Sequence, residues 1–167
     1  MTSLACDLAQ GVIPAEPDGR TLVAVFASPV AEFLLHFGRD LGYRTVLVEP
    51  DLARIGGTHQ LASSVDPSFA DATADVVVTD HDRPELGEIL RAALDTPARW
   101  IGVMGSVHHA AQHIPALTGL GVEPERIARV RRPIGLNIGS KTPAEIAIST
   151  LAGLIADRNG RPGGFTF

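Results

Sequence analysis

Four short stretches, residues 22–26, 45–48, 75–79 and 100–104, are almost wholly apolar, and segments of helical spacing lie between them. A strand with one face in water alternates apolar and polar residues. A short continuous apolar run marks a strand buried on both faces. Strands of that kind, separated by helices, predict an α/β domain with a mainly parallel sheet covered on both sides. The first helix is the best marked: Ser28 suits an N-cap and Pro29 the first helical position. Val30, Phe33, Leu34, Phe37 and Leu41 then repeat at helical spacing, and Gly42 closes the helix. With strand 45–48 this completes a right-handed strand–helix–strand unit.

Further helices are predicted at 84–94, from about Ser106 to Leu117, and from Thr142 to just before Gly160, with a short segment at 124–128. Residues 52–70 read as irregular, broken by Gly56, Gly57 and Pro67. Residues 1–20, with Gly11, Pro14, Pro17 and Gly19, read as an N-terminal tail or linker, and 21–167 as one domain. The length of 167 residues suits a single buried core. A net charge of −5 without a basic stripe argues against nucleic acid as a partner. Cys6 is the sole cysteine, so no internal disulfide can form, and the expected location is cytoplasmic. No leader pattern or bilayer-length apolar run is seen, so no membrane is expected.

Two segments carry ligand chemistry. Ile101-Gly102-Val103-Met104-Gly105-Ser106 runs from a strand into a predicted helix start. Gly135-Leu136-Asn137-Ile138-Gly139-Ser140-Lys141-Thr142 precedes another. Helix starts offer unpaired N–H groups and partial positive charge, which suit an anion. The candidate cofactor-binding residues are Gly105, Ser106, Asn137, Gly139, Ser140 and Lys141. Thr142-Pro143-Ala144-Glu145 is also a capping box, so Thr142 and Glu145 are assigned to helix stability. The second segment departs from a phosphate-binding P-loop by Ser140 in place of a glycine, and it follows the charged run Arg129-Val130-Arg131-Arg132-Pro133 rather than a buried strand.

Other motifs are weaker. The first strand–helix turn, Phe26-Ala27-Ser28-Pro29, lacks the glycines of a dinucleotide fingerprint, although Glu49 stands where a ribose-binding acid would. NAD(P) is therefore the less favoured cofactor. His109 and His113, four apart on the predicted helix, would share a solvated face and lack further metal ligands. Thr79-Asp80-His81-Asp82 could be an acid/base group or a plain turn. Cys6 has no basic neighbours to activate it. No catalytic or metal-ligating residue is assigned.

The segments Ile101–Ser106, Pro133-Ile134-Gly135-Leu136-Asn137-Ile138-Gly139 and Thr142-Pro143-Ala144-Glu145-Ile146-Ala147-Ile148-Ser149 resemble the C-terminal Rossmann-type domain of the XdhC/CoxI family over about residues 21–160. The resemblance implies a single Rossmann-like, doubly wound domain that acts as an accessory protein rather than a catalyst. It implies binding of the molybdenum cofactor (molybdopterin) and its delivery to a molybdenum hydroxylase of the xanthine dehydrogenase or carbon monoxide dehydrogenase type. A cysteine desulfurase and a second copy of the chain are further expected partners. Three segments depart from the family pattern. Ala27-Ser28-Pro29 replaces a Gly-Ala-Gly-His turn, Val107-His108-His109 replaces basic residues, and Thr79-Asp80-His81-Asp82 swaps histidine and aspartate. Two alternatives stand beside this reading: an NAD(P)-binding oxidoreductase-like domain, and an interaction-only scaffold.

Overall fold

The computed structural model describes residues 4–11, 19–56 and 60–164. Parts of the expected tail, residues 1–3 and 12–18, and Gly57 lie outside them. A short helix α1 (Leu4–Ala9) comes first, followed by β1 (Thr21–Val25), α2 (Pro29–Asp40), β2 (Arg44–Val48), β3 (Gln60–Ala62), β4 (Asp75–Val78) and α3 (Leu86–Leu94). Then come β5 (Trp100–Val103), α4 (His113–Gly119), α5 (Pro124–Ile127), β6 (Val130–Arg131) and α6 (Pro143–Arg158). The six strands form one sheet in the order β3-β2-β1-β4-β5-β6, and every pairing is parallel. This is the doubly wound Rossmann order, and its direction reverses between β1 and β4.

All residues of β1, β4 and β5 are buried, Thr21 and Asp75 included, as near-continuous apolar runs require when helices cover both faces. Alternate residues feed two cores. Val23, Val25, Val76 and Val78 face one side and pack with Ile89, Leu90 and Leu117 from α3 and α4. Leu22, Ala24 and Val77 face the other and pack with Leu34, Leu35, Leu151 and Leu154 from α2 and α6. Ser28 caps α2 by accepting the Ala31 N–H at 3.0 Å, with Pro29 in its first turn. Its buried face is Ala31, Leu34, Leu35 and Gly38, while Phe33 and Leu41 are exposed.

Three sequence-based expectations are corrected. Residues 52–70 contain a 3-10 turn, Leu52–Arg54, and the edge strand β3, too short to show a period. The run Arg129–Pro133 contains β6, whose two residues pair with Ile101 and Gly102; its charge hid it. The helix expected from Ser106 starts only at His113. Arg132 Nη2 donates to the Ser106 carbonyl at 2.8 Å and to the His109 carbonyl at 3.1 Å. The Ser106 side chain meanwhile accepts the His108 N–H. Those bonds hold residues 105–112 as a loop.

Gly102 shows how tightly β5 is covered. A Cβ there would lie 2.2 Å from the Trp100 ring and 2.8 Å from Ile134. The indole folds over the next residue on its own face of the strand, and the loop after β6 packs on top. Gly102→Ala should therefore destabilise the domain by about 1–3 kcal/mol through overpacking. Urea unfolding of the variant checks this; an unchanged midpoint contradicts it.

Candidate functional site

In an open parallel sheet, ligands bind outside the carboxyl ends of the strands, at the point where strand order reverses. Here that point lies between Phe26, after β1, and Thr79, after β4. Phe26 is fully buried and adopts φ 71°, the left-handed region that glycine occupies without penalty. Its carbonyl accepts from Thr79 Oγ1 at 2.9 Å. Since the Thr79 hydroxyl proton is directed at main-chain carbonyls, Ser28 Oγ, 2.9 Å away, donates to Thr79 Oγ1. Sequence reading of residues 79–82 missed this bracing role of Thr79.

The crevice beside this turn is occupied by protein. Glu49, at the end of β2, is fully buried. Its carboxylate accepts the Ala27 N–H at 2.8 Å, the Asp51 N–H at 2.9 Å, and two bonds from the Arg83 guanidinium at 3.0 and 3.2 Å. Arg83 is itself buried, lies 4.5 Å over the Phe26 ring, and also bonds Glu85. The acid in the position of a ribose ligand thus ties the β1 turn to the β4 turn. Burial alone would raise the Glu49 pKa, but the bonds from Arg83, Ala27 and Asp51 outweigh it and hold the group below the usual glutamate range.

Beyond β4 the edge opens. His81 sits on the rim of a groove of about 310 Å³ that it shares with Arg83, Gln112 and Ala116. Its ring centroid lies 5.9 Å from that of His109, and its Nε2 is 3.7 Å from Asp82. Asp80 accepts the Asp82 N–H, so the tripeptide makes a turn whatever else it does. His109 and His113 do not share a solvated helix face. His109 lies exposed in the loop, whereas His113 opens α4 and is 6% exposed. Burial, and then the charge of Arg132, lower the His113 pKa.

Of the six residues assigned from sequence, Gly105 and Ser106 are joined through Arg132 to the segment that carries Asn137, Gly139, Ser140 and Lys141. A Cβ on Gly105 would stand 2.7 Å from Arg132 Nε, so glycine is what lets the guanidinium lie across the loop. The Arg132 Nε is buried without a hydrogen-bond partner among the described residues. Ser106 is in a loop rather than at a helix start, so no helix dipole supports an anion there. At α6 the capping box is complete: Thr142 Oγ1 accepts the Glu145 N–H, while Glu145 Oε2 accepts the Lys141 and Thr142 N–H groups at 2.7 and 3.0 Å. The Glu145 carboxylate therefore already occupies the anion position at this helix start, and those backbone bonds lower its pKa. The donors that remain are side chains: the Lys141 ammonium, the Ser140 hydroxyl and the Asn137 amide, with Gly139 at φ 69° turning the loop between them. Arg132 is the residue that sequence reading passed over. Its only signal was the charged run at 129–132.

Removing one charge from the buried pair should be costly, because the partner is left buried and uncompensated. Glu49→Gln should lose about 3–5 kcal/mol at neutral pH. In the wild type the folded pKa of Glu49 lies below its unfolded value. Its contribution is therefore fully present above the unfolded value and fades as pH falls through the folded one. Denaturant unfolding from pH 7 to pH 3 should show the gap between wild type and Glu49→Gln closing on acidification; a constant gap contradicts this.

The family model described as the XdhC Rossmann domain matches residues 22–154. The chain is 36% identical over 89 residues to the uncharacterized protein YqeB of Escherichia coli strain K12. That alignment spans 53% of this chain and 16% of the relative. A solved structure described as a xanthine dehydrogenase from Bacillus halodurans superposes with a TM-score of 0.67 at 24% identity, over 85% of this chain and 45% of that one. The chain thus spans less than half of either protein. At this identity the superposition speaks to the fold, which is the same.

Proposed function

The chain belongs to the XdhC Rossmann-domain family, and we propose that it serves the maturation of a molybdenum hydroxylase by holding a phosphate-bearing pterin cofactor for transfer. What supports this reading is the loop that leaves the carboxyl end of β6, with the donors Asn137, Ser140 and Lys141 in it and, where it begins, the unpartnered Nε of Arg132 against Gly105. The molybdenum cofactor would bring the molybdenum centre that the client enzyme needs. The chain's own residues would bind its phosphate. Lys141 supplies charge, Ser140 and Asn137 supply hydrogen bonds, and Arg132 fixes the loop opposite them. The molybdenum hydroxylase is then the principal protein partner, with a cysteine desulfurase as a second.

Two observations favour this edge over the reversal point used by dinucleotides. Glu49 is committed to Arg83 and to two backbone N–H groups. The turn after β1 also carries the side chain of Phe26 where close approach to a pyrophosphate needs glycine. An oxidoreductase-like role with NAD(P) would have to break the buried pair. Among the described residues no helix is long and apolar enough to cross a membrane.

Equilibrium binding of purified molybdenum cofactor should be saturable. Lys141→Ala and Ser140→Ala should each weaken it, the lysine variant by about tenfold, as expected for losing one charge-assisted hydrogen bond. Absence of saturable binding, or unchanged affinity in both variants, would overturn the reading. NADPH fluorescence, titrated in parallel, should not change.

A further inference from the structure

At the opposite end of the strands, Arg99, Arg129 and Arg131 line a groove of about 340 Å³ at the amino ends of β5 and β6, beside Trp100 and Ile101. Its charge is unbalanced. Asp157 is shared by Arg99 at 2.7 Å and Arg131 at 3.0 Å. The buried Asp75 is shared by Arg99 at 2.7 Å and Arg158 at 2.9 Å. Arg129 donates only to the Leu94 carbonyl, at 3.4 Å, and has no carboxylate partner among the described residues. Three guanidiniums therefore share two carboxylates and a fourth, Arg129, pairs with neither, in a chain whose net charge is −5. A further arginine, Arg126, is already matched by Asp95.

Beside the groove runs β6, the last strand of the sheet, which pairs with β5 alone. Among the described residues no strand pairs with its outer side, which is where a further strand would add. Arg129 and Arg131 stand two residues apart and line the same groove. In an extended chain that spacing matches carboxylates at alternate positions on one face.

We propose that this edge docks an extended acidic segment of a partner protein, with acidic side chains at alternate positions reading Arg129 and Arg131 while its backbone lengthens the sheet at β6. Guanidinium forks bind carboxylates in two-bond geometry, and here they supply the charge that the domain's acidic surface otherwise withholds. A free phosphate would use the guanidiniums and gain nothing from the strand edge. The groove lies away from the cofactor edge, so the proposal stands whether or not the cofactor reading does.

The test uses the full chain and a fluorescein-labelled nonapeptide alternating glutamate and threonine, at about 50 mM salt, where screening is modest. Anisotropy should saturate, and Arg129→Glu combined with Arg131→Glu should weaken binding at least about tenfold. Arg54→Glu, the same substitution at one site elsewhere on the domain, should leave it intact. Because Arg131 also pairs with Asp157, Arg129→Ala serves as a second variant that breaks no ion pair and should still weaken binding. No saturation, or equal affinity in the arginine variants and wild type, overturns the proposal. Displacement of the peptide by inorganic phosphate that itself binds saturably also overturns it, in favour of a small-oxyanion site.

Discussion

The buried ion pair between Glu49 and Arg83 decides how the carboxyl edge of this sheet can be used. A carboxylate with no exposed surface is tolerable only if its lone pairs are taken up. Here one guanidinium and two backbone N–H groups do so. The same bonds join three strand ends: β1 through Ala27, β2 through Glu49 itself, and β4 through Arg83. With Phe26 beneath the guanidinium, the reversal point becomes a packed, charge-matched part of the core. This is the ground for proposing that a ligand of the edge is met further along it, over β5 and β6.

The loop after β5 departs from a simple helix start. Arg132 takes the carbonyls that a helix from Ser106 would need, and Gly105 gives it room. Gly135, at φ 84°, lies against α6 so closely that a Cβ would reach Ser149 Oγ at 2.8 Å. Asn137 to Lys141 lie between Gly135 and the capping box of α6. At the amino ends of the strands the charge balance runs the other way, with arginines outnumbering their carboxylate partners. The two ends of one sheet thus carry different groups: the loop of Asn137, Ser140 and Lys141 after β6 at one, the guanidiniums of Arg99, Arg129 and Arg131 at the other.

Much of this was legible from the chain alone, for physical reasons that differ by element. Strands β1, β4 and β5 announce themselves because burial on both faces leaves near-continuous apolar runs, with Thr21 and Asp75 only at their first positions. The caps of α2 and α6 are equally clear, since Ser28-Pro29 and Thr142-Pro143-Ala144-Glu145 satisfy orphan N–H groups by local geometry. Strands β3 and β6 are too short for any period, and β6 is charged because it lies at an edge. The late start of α4 was hidden because its cause, Arg132, is 26 residues from Ser106. Glu49 could be singled out by position, but its partner could not, because a buried arginine looks like any other in sequence. The capping box was read correctly, yet its consequence for anion binding appears only when Glu145 is seen holding the Lys141 and Thr142 amides.

We propose an edge closed at the reversal point and open beyond β5. Amide hydrogen exchange, with and without purified molybdenum cofactor, addresses it most directly. The account predicts added protection in residues 105–112 and 132–142, with none in 26–31 or 49–51. Protection that appears first at 26–31 and 49–51 would contradict it, since it would place the ligand where Glu49 and Arg83 now sit.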